Sequence, residues 1–394
     1  MTVKYIDQID VKNQRVMIRV DYNVPYDKEM NITDYTRITA TVPTLDFCLK
    51  NEAKIILVSH LGRPKGQVKP SLSLRPVAEK LSEILNKPVK FIDTPLGDET
   101  VEITRKMNSG EIILFENIRF YPGEEKNDHS LGELLARHAD IFVNDAFAAA
   151  HRGHSSNFAV AEFVKTVGAG FLLKNEIEYS QNVIKNAERP FGAIIGGAKV
   201  SSKLDALNNI VSKVDFLIIG GGMAFTFLKA NGYSIGNSLL EEELIDSAKE
   251  IMKKASEKNV SILLPVDIVG ASEFDNESPR EVFPVESIPD NIIGLDIGPE
   301  SVKIFSEQIK KARTVIWNGP MGAFEMPNFA NGTNAISQVL ADSDCLSIVG
   351  GGDSVTAVNK AGVSDKITYI STGGGAFLEV LEGKILPGIA ALDR

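Results

Sequence analysis

Ten short apolar runs punctuate the chain, at residues 16–20, 54–58, 112–115, 141–143, 193–195, 216–219, 261–264, 314–317, 346–349 and 367–370. They are rich in Ile and Val and are bounded by Gly, Pro, Asn or Asp. Apolar side chains on both faces of a strand leave no alternation, which is the pattern of strands buried inside parallel sheets. Between the runs lie segments of helical period. In 74–85 the apolar residues Val77, Leu81, Ile84 and Leu85 share one face, with Ser73 placed to cap the N-terminus. Val200, Leu204, Leu207 and Val211 repeat that spacing. Strands alternating with helices require βαβ units, so the expected class is α/β with doubly wound parallel sheets.

A length of 394 residues favours two such domains, or three small ones. The expected boundary is Gly168-Ala169-Gly170, followed by a helical segment that Pro190 closes. This gives an N-terminal domain at 1–170, an interdomain hinge helix at 171–185 and a second domain at 186–378. The halves differ chemically. All five histidines and nine of the thirteen arginines fall within the first 154 residues, whereas 21 of the 32 glycines lie between 186 and 375.

Net charge is −10, from 42 Lys and Arg against 52 Asp and Glu. Such a balance argues against a nucleic-acid or anionic-membrane surface, but a small phosphorylated ligand needs only a local cluster. Cys48 and Cys345 stand alone, so neither a disulfide framework nor a zinc site is expected. The N-terminus is polar and no apolar run is long enough to span a bilayer, which predicts a cytoplasmic protein.

In the second half, AIIGGAK, LIIGGGM, SIVGGGD and YISTGGG repeat one unit: a strand that ends in glycines before a helix. That geometry brings backbone N–H groups and a helix N-terminus to an anion. Neither a P-loop nor a well-placed GxGxxG is present. Lys199 and Lys203, four apart, are expected on one face of the following helix's first turns, either as a phosphate clamp or as a solvated lysine face. Asp353, after Gly351 and Gly352, reads as a helix N-cap or as a carboxylate beside nucleotide-bound Mg²⁺. Glu325 could accept from ribose hydroxyls or be a surface acid.

In the first half Arg19 and Asp21, His60 and Arg63, Arg119, and Arg152 follow four different strands. Ligands of open α/β sheets bind at those carboxyl ends, so these groups are expected to converge on one anion. His129 and His138 read as helix-surface residues. No GxSxG, HExxH or Cys–His pairing supplies a nucleophile and base. Phosphoryl transfer to an oxygen that is already anionic needs neither, which favours a carboxylate as acceptor.

The motifs RVDYNVP, SHLGRP, ENIRFYPGEE, DAF with AHRGHSS, GGAKVSSK, GGGMAFTFLK, WNGPMGAFE, GGGDS and STGGGAFLEVLEGKILPG occur in this order. Together they resemble the phosphoglycerate kinase family from end to end. The resemblance implies two Rossmann-like domains, with the C-terminal stretch 379–394 returning to the first. It implies the glycolytic and gluconeogenic transfer between 1,3-bisphosphoglycerate and Mg-ADP, giving 3-phosphoglycerate and Mg-ATP, in a monomer whose hinge closes. By motif, Asp21, Asn23, His60, Arg63, Arg119 and Arg152 would hold the phosphoglycerate, and Arg37 would meet the transferring phosphoryl group. Lys199 and Lys203 would neutralise the nucleotide phosphates, with Gly351, Gly352 and Ser354 lining their site. Asp353 would bind Mg²⁺, Glu325 the ribose, and Gly220, Gly221, Gly294 and Pro320 would wall the adenine pocket. Two departures stand out: Ala148-Ala149 replaces a usual Gly-Thr, and Ala323 replaces a larger aliphatic, which would loosen the base pocket. Pattern alone leaves two rivals. One is an NAD-dependent dehydrogenase of a phosphorylated acid, which should carry a GxGxxG. The other is a non-catalytic phospho-acid binding protein, which would need neither lysine nor Asp353.

Overall fold

The ten runs form strands, and all ten lie in two parallel six-stranded sheets. The computed structural model describes residues 2–394 and divides into two compact units, the chain through Glu178 with Ile385–Arg394, and Tyr179–Lys384. In the first unit β1 (Arg15–Arg19), β2 (Lys54–Val58), β3 (Val89–Ile92), β4 (Ile112–Phe115), β5 (Ile141–Asn144) and β6 (Thr166–Ala169) are ordered β3-β4-β2-β1-β5-β6. In the second, β7 (Phe191–Ile195), β8 (Phe216–Ile219), β9 (Ser261–Leu263), β13 (Thr314–Asn318), β14 (Leu346–Val349) and β15 (Tyr369–Ile370) are ordered β15-β14-β13-β7-β8-β9. Helices cover the sheets, so every residue of β4, β5, β7, β8 and β13 is buried.

Five strands carry no such run. β3 and β6 flank the first sheet. β10 (Asp267–Ala271), β11 (Arg280–Pro284) and β12 (Ile293–Ile297) form a separate antiparallel sheet, ordered β11-β10-β12, inserted between β9 and β13. β11 is largely exposed, so burial does not mark it in the sequence.

The helix Arg75–Leu85 buries Val77, Ala78 and Leu81, and Ile84 and Leu85 pack against the same core. Its cap position is Leu74, one residue later than expected, although Ser73 Oγ still accepts the Arg75 N–H at 3.2 Å. His138 is not on the surface. It is fully buried, with Nε2 2.9 Å from Thr100 Oγ1, Nδ1 2.8 Å from the Leu134 carbonyl and its ring edge-on to Phe115. Helical winding runs from Phe171 to Asn186, with a wider π-type turn over Ile177–Asn182, and the two units divide inside that turn.

The helix Gly375–Leu381 belongs to the second unit, and the chain re-enters the first at Ile385. There Asn144 Nδ2 donates to the Gly388 carbonyl (3.1 Å), and Gly388 N–H donates to the Ala150 carbonyl (2.8 Å). Gly388 has no room for a side chain, since a Cβ would lie 2.9 Å from the Ala150 Cα. Both cysteines are buried and free.

Candidate active site

In the first unit, β4, β2, β1 and β5 are neighbours in the sheet, and each ends in one of the polar motifs. Their carboxyl ends therefore bring residues 21, 60, 119 and 152 to one edge. Arg37 comes from the short helix Thr36–Thr39, and its Nη1 donates to Asp21 Oδ2 at 2.6 Å. His60 Nδ1 is 3.9 Å from Asp21 Oδ1. Asn23 Oδ1 accepts the Gly62 N–H at 2.8 Å, and Arg119 Nη1 donates to the Gly62 carbonyl at 2.8 Å, so the loop carrying His60 and Arg63 is clamped from both sides. Arg119 is buried, and its Nε lies 3.4 Å from Glu125 Oε1 in an ion pair. Arg63 and Arg152 are exposed.

Burial works against charge on Asp21, but Arg37, Arg19 and the Asn23 N–H together hold its carboxyl below the usual range. Burial, aided by Arg19, Arg119 and Arg37, holds the His60 ring well below the usual imidazole value against the contrary pull of Asp21. Positive charge here thus comes from guanidinium groups. Arg19 is a correction to the spacing argument. It is fully buried beneath His60 rather than presented to a ligand.

In the second unit, the sheet read from β9 has the strand order 3-2-1-4-5-6, with the reversal between β7 and β13. Glycine is required where their loops meet, because a Cβ on Gly196 would sit 2.1 Å from the Pro320 carbonyl oxygen. Gly197 N–H then donates to that carbonyl at 2.9 Å, and Gly319 N–H donates to Ser354 Oγ at 2.5 Å. A cavity of about 520 Å³ opens beside this junction. Gly197, Ala198, Gly222, Gly294, Pro320 and Gly322 line it, with Asn237, Leu239, Phe274, Ile293, Leu295, Ala323, Glu325 and Asp353.

Several expected residues stand elsewhere than the sequence suggested. Lys199 and Lys203 precede the helix Leu204–Ile210, with Lys203 at its cap position, because the chain turns through Gly197 at φ +111° before winding. Lys203 Nζ donates to Asn318 Oδ1, and burial pushes its pKa down to about 8 against the opposing pull of Asp353. Lys199 is exposed. Asp353 is not the N-cap. Gly351 holds that position for the helix Gly352–Lys360, and Asp353 lies exposed in the first turn. Gly220 and Gly221 sit behind the cavity, packed against Met321 and Gly197, and neither lines it. Ser354 is fully buried and joins the β13 loop to the β14 loop.

Sequence reasoning missed Leu239, Phe274 and Asn318. A signal existed for Phe274, an aromatic in the otherwise polar stretch Ser272-Glu273-Phe274-Asp275-Asn276 that stays 70% exposed. Among the described residues, no group of three His, Cys, Asp or Glu side chains could hold a metal unaided, and no helix is long and apolar enough to cross a membrane.

A Rossmann-ordered sheet with a glycine-walled cavity, in a chain that also carries an arginine-rich α/β unit, defines a two-unit α/β protein of nucleotide-binding architecture. The phosphoglycerate kinase family model matches residues 6–384. The phosphoglycerate kinase of Geobacter metallireducens is 52% identical, with 100% of this chain and 99% of that protein covered. That of Thermosynechococcus vestitus is 51% identical, with coverages of 100% and 98%. The solved structure of phosphoglycerate kinase from Coxiella burnetii superposes with a TM-score of 0.93 at 42% identity, covering 99% of each chain. That from Pyrococcus horikoshii gives 0.82 at 30% identity, covering 98% of each. This chain belongs to the phosphoglycerate kinase family, and its activity is phosphoryl transfer with a carboxyl group as acceptor. Neither the dehydrogenase nor the non-catalytic reading is favoured.

Proposed function

We propose that the chain transfers the acyl phosphate of 1,3-bisphosphoglycerate to Mg-ADP, reversibly, with the residue assignments that follow. Asp21 and Asn23 take the hydroxyl and carboxylate region of the phosphoglycerate. His60, Arg63, Arg119 and Arg152 hold its distal phosphate. The observation that carries this reading is the Asp21–Arg37–His60–Arg119 cluster at neighbouring strand ends, where fixed guanidinium charge surrounds a neutral imidazole.

Nucleotide binding belongs in the cavity beside β7 and β13, with the base against Leu239, Phe274, Gly294, Pro320 and Ala323 and the ribose at Glu325. Lys203, Lys199 and the first turn of the helix Gly352–Lys360, with Gly351 and Gly352, face the phosphates; Ser354 acts through Gly319. Gly220 and Gly221 support the wall from behind.

Asp353 offers an exposed carboxylate, which suits a Mg²⁺ that arrives with ADP and is bound mainly by phosphate oxygens and water. In the reaction Arg37, Lys199 and Lys203 neutralise the equatorial oxygens of the transferring phosphoryl group, and the acceptor oxygen needs no base because it is already ionised. In-line transfer requires the two ligands to meet with water excluded, so the functional cycle includes closure about the helical segment 171–185. The chain works as a cytoplasmic monomer, with no nucleic-acid or membrane partner.

A coupled assay of ATP formation from 1,3-bisphosphoglycerate and Mg-ADP tests the reading. Turnover supports it, and its absence at saturating Mg²⁺ overturns it.

A further inference from the structure

A buried polar chain runs beneath His60. Arg19, the last residue of β1, is fully buried. Its Nε donates to Ser156 Oγ at 2.8 Å, its Nη1 to the Val20 carbonyl, and its Nη2 lies 3.1 Å from His60 Nδ1. Ser156 passes the connection on, with its hydroxyl donating to Glu124 Oε1 at 2.6 Å and its N–H to Oε2 at 2.9 Å. Glu124 is also fully buried, and its attraction to Arg19 offsets part of the cost of burying both charges.

The direction of the Arg19–His60 hydrogen bond follows from chemistry. A guanidinium has five N–H donors and no acceptor, so the ring nitrogen facing Nη2 must carry the lone pair. A proton on His60 Nδ1 would set N–H against N–H. Asp21 Oδ1, at 3.9 Å, is too far to accept such a proton. The ring proton therefore sits on Nε2. We propose that Arg19 is a positioning residue which locks His60 in the neutral Nε2–H tautomer, so that the ring meets the phosphoglycerate as a hydrogen-bond donor and not as a cation or a general acid. This rests on the anion-site reading above only in naming the ligand.

The charged groups around the ring are Asp21 and Arg19 on the β1 side, Arg37 from the helix Thr36–Thr39 and Arg119 from the turn Ile118–Phe120, with Glu124 further beneath. Three of these are cations, which agrees with a ring that stays neutral through the physiological range. The arrangement makes anion capture insensitive to pH: the guanidinium groups supply charge, and His60 supplies direction.

Long-range ¹H–¹⁵N NMR of the histidine side chains in the full chain tests this directly. In the wild-type protein without ligand, His60 should show a pyrrole-type Nε2 and a pyridine-type Nδ1, unchanged from pH 5.5 to pH 8. The double variant Arg19→Met/Glu124→Gln removes both buried charges together and so avoids stranding one of them. In it the ring nitrogen facing position 19 is released, so a protonated Nδ1 should appear in the His60 signals; a variant that folds and keeps the Nε2–H form alone would overturn the role given to Arg19. The wild-type inhibition constant for sulfate, an anion that does not titrate here, should stay within about twofold from pH 8 to pH 5.5. Wild-type His60 resonances that titrate in this window, or a protonated Nδ1, would overturn the proposal, and neither measurement depends on the variant folding. If the tautomer is as stated but 3-phosphoglycerate does not move the His60 resonances, the anion-site reading fails while the lock stands.

Discussion

Lys203 carries the most quantitative consequence of the geometry. Its ammonium is partly buried against Asn318, and burial pushes its pKa to about 8 from a usual 10.5. Nucleotide phosphates placed beside it would favour the charged form and return the pKa at least to the ordinary value. A change of about 2.5 pKa units corresponds to ~3.4 kcal/mol, or roughly 300-fold tighter binding of ADP to the charged than to the neutral form. Binding should therefore draw in a proton wherever free Lys203 is neutral. From the pKa, about three-quarters of the free protein is charged at pH 7.5 and about one-tenth at pH 9, so the apparent Kd for ADP should rise about eightfold between them. Isothermal titration calorimetry in buffers of different ionisation enthalpy reads both quantities. Proton uptake should be roughly 0.25 per ADP at pH 7.5 and roughly 0.9 at pH 9. In Lys203→Met the uptake should vanish and the Kd should become flat with pH. A wild-type Kd that is flat with pH, with no uptake at pH 9, would refute the placement of Lys203 at the phosphates.

Three further outcomes are expected. Arg37→Ala should lower kcat by ~100-fold or more while changing the KM for 3-phosphoglycerate less than about tenfold, since charge on the transferring group develops in the transition state; unchanged kcat in steady-state assays would remove Arg37 from that role. Gly294→Ala would bring a Cβ to 2.0 Å from Phe225 Cζ, and overpacking of this kind costs about 1–3 kcal/mol; urea unfolding followed by Trp317 fluorescence should show an earlier transition, and an unshifted midpoint would contradict the packing. Burial raises the Asp145 carboxyl to about 7, against hydrogen bonds from Thr44 and the Leu173 and Leu172 N–H groups. The folded state therefore keeps a proton that the unfolded chain releases near pH 4, and this contribution to stability is lost as pH rises toward 7. Asp145→Asn should gain on the wild type by ~2 kcal/mol between pH 5 and pH 7.5, read as diverging urea midpoints by circular dichroism; parallel midpoints would show that Asp145 does not titrate there.

The sequence by itself determined the architecture. Continuous Ile/Val runs are sufficient evidence for parallel strands because burial on both faces removes any alternation, and strands of this kind need helices between them. It also determined the chemistry of the two units, since glycines that end strands and arginines that follow strands are local features. The weak strands escaped for the complementary reason. β11 is exposed and β6 is only Thr-Val-Gly-Ala, so neither bears an apolar run.

What only the tertiary structure decided was depth and partnership. Arg19 and Asp21 are two residues apart at the end of one strand, and both looked suited to a ligand. Whether each faces the site or the protein interior depends on Ser156, His60 and Glu124, which come from distant parts of the chain and supply the donors and acceptors that make a buried guanidinium tolerable. The same holds for His138, buried because Thr100 and the Leu134 carbonyl satisfy both ring nitrogens. It holds too for the glycines of the switch point, where the approach of two loops, and not the local pattern, decided that Gly197 and Gly294 line the cavity while Gly220 and Gly221 stand behind it. Local sequence specifies which groups are present at a strand end. Only the long-range hydrogen bonds that repay desolvation determine which of them stay available to a ligand.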